Sequence, residues 1–236
     1  MARIELRNSV IRIVDGHSAT GAVDNGPGYS SGDTTMVTDT FTTELEPDMR
    51  FTVVGSTLTH LITSESGDPN TSITFTPALD GTVADSAVIT VTGRTLEINV
   101  GDGNITFGEK KEYNYDLNRG NLDTVREGNQ IPMDVSMNFI YDFIKAASAD
   151  TSPTPEEALR NTGKASGWVS SSSDTCEPYA VDLEIEHTPI CTGTDKERVT
   201  LPDFRYESLD HDPREASISA TGRCNAVVAT VTRGAP

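Results

Sequence analysis

The sequence predicts a mainly β chain with one short helix, an α+β fold. Three observations carry that prediction. Apolar and polar residues alternate along several segments, Gly and Pro recur between those segments, and a single stretch bears the signals that start a helix. At 236 residues the chain is long enough for one large domain or two small ones.

Taken in order, Ile4–Val14 reads as a first strand. Residues 21–92 change in texture and hold five short β runs: Thr34–Thr38, Arg50–Val54, Thr57–Thr63, Ser72–Thr76 and Ala87–Val91. Turn material separates them, such as Glu46-Pro47-Asp48, Gly67-Asp68-Pro69-Asn70 and Leu79-Asp80-Gly81. Short strands at this spacing suit a small β-barrel module. The flanking segments near 2–14 and 94–107 are alike in pattern and able to pair. Residues 21–92 are therefore expected to be an insertion, with its far boundary at Thr92-Gly93. Residues 1–20 supply the first strand of a core completed by 93–236.

Beyond the insertion, Leu96–Val100 and Tyr113–Leu117 read as strands, followed by a polar connection, Asn118–Ile131. A connection of that length is uncommon without a function. Met133–Phe143 is the clearest strand. Met133, Val135, Met137, Phe139, Tyr141 and Phe143 fall on one face, with Asp134, Ser136, Asn138 and Asp142 on the other. Near 155–162 lies the helix. Thr154 is placed to cap it, Pro155 occupies the first helical position, Glu156 and Glu157 suit the dipole, and Gly163 is the expected stop. In Val181–His187, Val181, Leu183, Ile185 and His187 alternate with Asp182, Glu184 and Glu186, which predicts a strand with an acidic outer face. Ala216–Val231 closes the set.

Composition and motif searches exclude several functions. Acidic residues outnumber basic ones 36 to 18, a formal charge of −18, which rules out a basic DNA-wrapping protein. No apolar run reaches the ~20 residues of a membrane helix. The opening MARIELRNSVIRIVDG has charges throughout and no apolar h-region, so no secretory signal is expected. Cys176, Cys191 and Cys224 are expected to be buried, reduced thiols. An extended strand at ~3.3 Å per residue keeps Cys176 and Cys191 beyond the ~7 Å of a disulfide. His17, His60, His187 and His211 lack metal-ligand spacing. Gly16-His17-Ser18-Ala19-Thr20 lacks the second glycine of a nucleophile elbow, and Gly101-Asp102-Gly103-Asn104 reads as a turn. Neither a cofactor, a metal nor catalytic residues are expected.

Three blocks carry a resemblance. They are NYDLNRGNLDTVREGNQIPMDVSMNFIYDFI at 114–144, CEPYAVDLEIEHTPIC at 176–191 with VTLPDFRYESLDHD at 199–212, and SISATGRCN at 217–225. Their layout resembles the major tail tube proteins of long-tailed, siphovirus-like bacteriophages over roughly residues 94–232 plus the first strand. The resemblance implies a tail-tube-type β-sandwich or barrel core carrying the inserted module. It also implies a structural, non-enzymatic virion protein, made in the host cytoplasm. Its subunits would form rings, commonly hexameric in that family, stacked into a conduit for DNA ejection. Implied partners are copies of itself and other tail proteins (tape measure, tail terminator, distal tail), with DNA passing the lumen without specific binding and no membrane involved.

Within that frame Arg119, Leu122, Asp123, Val125, Arg126 and Glu127 are the candidate interface residues of a docking arm. Asp134, Asp142, Asp182, Glu184 and Glu186 are candidate lumen-facing acids, able to repel DNA phosphates across the ~8 Å screening length. The alternative is a β-sandwich binding or adhesin module, for carbohydrate or protein. The single Trp168 and 6% aromatic content speak against a sugar-binding face. A carboxylate-based hydrolase has only scattered acids behind it.

Overall fold

In the computed structural model, residues 9–39, 41, 45–67, 72–99, 103–140, 153–187 and 196–234 are described. Among the described residues alternation becomes strand nearly everywhere it is expected; residues 4–8, 100 and 141–143 of the expected strands lie outside them. The first half of the chain forms β1 (Ser9–Val14), β2 (Ala19–Ala22), β3 (Thr35–Val37), β4 (Met49–Val53), β5 (His60–Ser66), β6 (Ser72–Thr76) and β7 (Val88–Asn99). The second half forms β8 (Gly103–Gly108), β9 (Lys111–Asn118), β10 (Asn121–Gln130) and β11 (Met133–Ile140). After helix α1 (Pro155–Arg160) come β12 (Val181–His187), β13 (Lys196–Asp212), β14 (Ser217–Cys224) and β15 (Thr230–Gly234). The chain is mainly β with one short helix, as its patterning requires.

Thirteen strands share one antiparallel sheet whose main path runs β3-β6-β5-β4-β7-β1-β12-β13-β14-β11-β8, with β15 on β13 and β2 on β7. Strand β1 lies between β7 and β12, with Val10 opposite Asn99 on one side and Glu186 on the other. The expected pairing of the first strand with the segment after the insertion is therefore present. Among the described residues no sheet closes into a barrel. The 21–92 segment comes near to it, since β2 and β3 are joined by an isolated bridge, Val23 to Thr38, and by the bonds Asp24 N to Val37 O and Asp39 N to Ala22 O.

Two apolar cores sit on this framework. One gathers Met36, Phe51, Ile62, Ile73, Phe75, Val83 and Ile89 within the 21–92 segment. The other gathers Ile11, Ile13, Ile98, the inward residues Met133, Val135, Met137 and Phe139 of β11, and Leu183, Leu201 and Phe204. Burying side chains of this size contributes roughly 1.5–3 kcal/mol each, the main drive for both cores. Helix α1 adds Ala158 and Leu159 to the second core. Its capping box forms as its sequence dictates: Thr154 Oγ1 accepts from Glu157 N at 3.2 Å, and Glu157 Oε2 from Thr154 N at 3.0 Å. The stop differs from expectation. Asn161, at φ 53°, provides the left-handed cap, two residues before Gly163.

The Thr92-Gly93 position read as a boundary is the middle of a continuous strand. The first half of β7 pairs with β2 and β4 in one core, and the second half pairs with β1 in the other. Gly93 makes this passage possible. It sits at φ 110°, and a Cβ there would lie 2.6 Å from Asp15 O. The Ala216–Val231 segment also differs, since the turn at 225–229 divides it into β14 and β15. Cys224 is buried, its thiol pushed up to about 12 by burial and by Asp182 and Asp203, whereas Cys176 is exposed, contrary to expectation. Cys191 lies outside the described residues.

Both cores and the segment after α1 meet at Asp15, whose side chain is fully buried. Its carboxylate accepts from Arg94 N at 2.7 Å, Arg94 Nη1 at 3.1 Å, Val169 N at 3.1 Å and His17 N at 3.2 Å. Arg94 in turn donates to Gly167 O at 2.9 Å and to both carboxylate oxygens of Glu46, at 2.9 and 2.8 Å. Removing one partner of a buried pair leaves an uncompensated charge, at a typical cost of about 3–5 kcal/mol. Arg94→Met is accordingly expected to lower unfolding stability by about 3 kcal/mol in urea titrations; an unshifted midpoint would show that the junction holds nothing together.

Candidate assembly surface

The polar connection expected at Asn118–Ile131 is a β-hairpin. Strands β9 and β10 form a two-stranded sheet of their own, outside the thirteen-stranded one. Two residues turn it, Arg119 at φ 50° and Gly120 at φ 85°, the positive-φ pair of a type I′ turn whose twist matches the flanking strands. Leu117 faces Leu122, Tyr115 faces Val125 and Tyr113 faces Glu127, while Asp116 faces Thr124 and Asn114 faces Arg126. Asp123 is the extra residue of a bulge between Leu122 and Thr124.

Cross-strand partners share a face, so the two sides of the hairpin differ sharply. One side bears Tyr113, Tyr115, Leu117, Leu122 and Val125, between 47% and 66% exposed. The other side is polar and internally bonded. Arg126 Nε lies 3.3 Å from Asp116 Oδ2, Thr124 Oγ1 donates to the same oxygen at 3.1 Å, and Asn129 N donates to Glu112 Oε2 at 3.1 Å. All of β9 is solvent-exposed. Among the described residues no core lies beneath this contiguous apolar face of the ribbon.

The predicted arm residues thus take distinct places. Leu122 and Val125 lie on the apolar face, Arg119 at the tip, Asp123 at the bulge, Arg126 in the polar ion pair and Glu127 opposite Tyr113. Tyr113, Tyr115 and Leu117 complete the face and were not among them. Their signal was present as strict alternation in Tyr113–Leu117. It did not extend across the turn, because the Asp123 bulge breaks the period of the second strand.

The arm leaves the sheet at its margin, between edge strand β8 and β11. Its root is tied down by ions. Asp134 bonds Lys110 Nζ at 2.5 Å and Arg223 Nε at 3.2 Å, which holds its carboxyl below the usual range, and Ala229 N donates to Glu109 Oε1 at 2.9 Å.

The candidate lumen acids are placed unevenly. Asp134 is the exposed one at the root of the arm. Asp142 lies outside the described residues. Glu184 and Glu186 do face away from the second core, yet other side chains cover them. Glu184 Oε2 accepts from Arg50 Nη1 at 2.9 Å. Glu186, only 6% exposed, accepts from Arg12 Nη1 at 2.9 Å and Arg198 Nη2 at 3.0 Å, with Lys196 Nζ at 3.4 Å. Arg12 Nε also bonds Glu97 at 2.6 Å, so a ladder of alternating charge crosses β7, β1, β12 and β13. Asp182 accepts from Asp203 N at 2.9 Å, and burial raises its pKa. Among the described residues no cluster of three or more His, Cys, Asp or Glu is arranged to hold a metal ion, and no helix is long and apolar enough to cross a membrane.

No protein-family model, curated protein or solved structure matches the chain.

The Glu186 ladder has a pH signature. Burial by itself raises the pKa, but hydrogen bonds and charge from Arg12, Arg198 and Lys196 outweigh it and bring the group down to about 2. A folded-state value below the ordinary 4.5 means the stabilisation is complete above that pH and is lost as pH falls toward 2. A shift of this size is worth on the order of 3 kcal/mol. Acid unfolding of Glu186→Gln is expected to show a shallower loss of stability between those pH values than wild type; identical acid profiles would remove Glu186 from the account.

Proposed function

We propose that the chain is a structural subunit that assembles with copies of itself into closed rings stacked as the tail tube of a long-tailed bacteriophage, and that it carries no enzymatic activity. The observation behind this reading is the hairpin arm, an apolar face of two tyrosines, two leucines and a valine that the subunit itself leaves uncovered. The apolar face docks on a neighbouring copy, while Arg126 and Asp116 keep the outer side of the ribbon wet and straight.

Sheet margins give a second support. The path of the large sheet ends at β8 on one side, and β12 lines β13 only as far as Phe204, leaving Arg205–Asp212 with β14 on one side among the described residues. Unpaired strand margins invite pairing with another chain, and a head-to-tail contact that closes by rotation covers every one of them in a ring. Charge gives the third. At −18 the subunit repels nucleic-acid phosphates at close range, so a tube wall built from it lets DNA pass without specific binding. Glu184, Glu186 and Asp134 are all engaged in ion pairs within the chain, so this repulsion rests on the overall excess of acids over cations and not on these three.

Negative-stain microscopy of the purified protein tests the proposal directly. Wild type is expected to form rings or tubes with a central hole. Tyr115→Lys combined with Leu122→Lys is expected to leave the thermal midpoint of the isolated chain within about 2 °C, as surface changes do, and to abolish assembly. Tubes formed by the double variant as readily as by wild type would discard the arm as the docking element. A wild-type chain that stays monomeric and binds glycans would favour the adhesin reading instead.

A further inference from the structure

Most cations of this acidic chain are scattered, but four converge on one place. Arg12, Arg50, Lys196 and Arg198 line a cavity of about 280 Å³ between the outer face of the β1–β12–β13 sheet and the 21–92 segment, whose Leu58, His60 and Pro77 form the opposite wall. Only two carboxylates, Glu97 and Glu186, share that lining. Counting Glu184, which holds Arg50 at 2.9 Å, positive side chains still exceed negative ones.

One donor there is unanswered. The Arg50 side chain is 9% exposed, its Nη1 is bonded to Glu184, and its Nε is buried with no hydrogen-bond partner. An orphaned charged donor that is buried is costly, and proteins rarely leave one without a ligand, an ion or a water. Arg50 also lines an adjoining cavity of about 250 Å³ with Asp182, Glu184 and Arg198, so the guanidinium stands between two hollows. The ring of His60 is already committed on both nitrogens, to Ser56 Oγ at 2.9 Å and Pro77 O at 2.8 Å. The cations are therefore the groups left to recognise a guest.

We propose that this cavity binds a small phosphate-class oxyanion, held by Arg50, Arg198, Lys196 and Arg12. The carboxylates position the cations rather than fill the site. Glu186 takes one nitrogen each from Arg12 and Arg198, and Glu97 takes Nε of Arg12, which fixes guanidinium planes that otherwise would have to be ordered on binding. Arg suits this role because its planar fork matches oxyanion geometry. The guest would bridge the 21–92 segment, through Arg50 on β4, to the second core, through Arg12 on β1 and Lys196 and Arg198 on β13. It would tie together the two halves that β7 already joins.

The probe is inorganic phosphate, titrated at constant ionic strength into the whole chain, with the thermal midpoint and calorimetric heat as readouts. A ligand that binds only the folded state raises the midpoint in proportion to the logarithm of its concentration over Kd. Phosphate is expected to raise it where chloride of equal ionic strength does not. Lys196→Gln with Arg198→Gln, both on partly exposed side chains, is expected to weaken binding by at least about tenfold, the usual effect of losing a charge-assisted bond. Arg50→Lys keeps the charge and removes the Nε donor, and is expected to weaken it similarly. Equal responses to phosphate and chloride, or an undiminished phosphate response in both variants, would overturn the proposal. The titration reads a single folded subunit, so its outcome stands apart from whether tubes form.

Discussion

A buried carboxylate with four donors around it organises this molecule. Asp15 directly follows β1, Arg94 sits at the midpoint of β7, and Val169 belongs to the segment that follows the helix, so one side chain ties three distant parts of the chain to a single point. Through Arg94 the tie extends to Glu46 in the 21–92 segment. A charge removed from water is tolerable only when its lone pairs are met with good geometry, and here backbone N–H groups and a guanidinium meet them. The local backbone is subordinate to this demand. Gly93 stands at φ 110° where a Cβ would lie 2.6 Å from Asp15 O, so only glycine fits, and β7 runs through it to serve two cores in one continuous strand.

Charge is partitioned with consequence. Arg12, Arg50, Arg94 and Arg198 all lie in ion pairs at or near the seam between the two cores. Together with Lys196 these arginines meet five carboxylates, Asp15, Glu46, Glu97, Glu184 and Glu186, so the net charge of −18 is left to the rest of the chain. Copies of such a subunit repel one another at long range, and that repulsion is screened beyond about 8 Å at physiological salt. In the proposed assembly, close contact between copies comes from short-range apolar burial. The hairpin offers that burial and almost nothing else, since its polar face satisfies its own groups internally.

Much of the fold was legible in the residues, for identifiable reasons. β11 and β12 alternate because each has one face on a core, and the pattern survives in the sequence, broken only by Ile140. The capping box of α1 is wholly local, so Thr154, Pro155 and Glu157 announce it. The arm was half legible. Tyr113–Leu117 alternates cleanly, but β10 carries the Asp123 bulge and an Arg-Gly turn in place of the usual Asn-Gly, so its period fails and the stretch reads as a loop. The acids of β12 misled in another way. Their alternation correctly placed them off the core, but periodicity does not tell open solvent from a layer supplied by residues 130 or more positions away, such as Arg50.

By itself, then, the sequence determined strand identity, inward faces, the helix start and the excess of negative charge, because each depends on neighbours within a few residues. Tertiary structure alone decided that β7 is shared between two cores and that Glu184 and Glu186 meet arginines instead of water. It likewise decided that five apolar side chains of the arm have no core beneath them. These outcomes are set by contacts between segments far apart in the chain, where the energy lies in burial and paired charge and leaves no local periodicity to read.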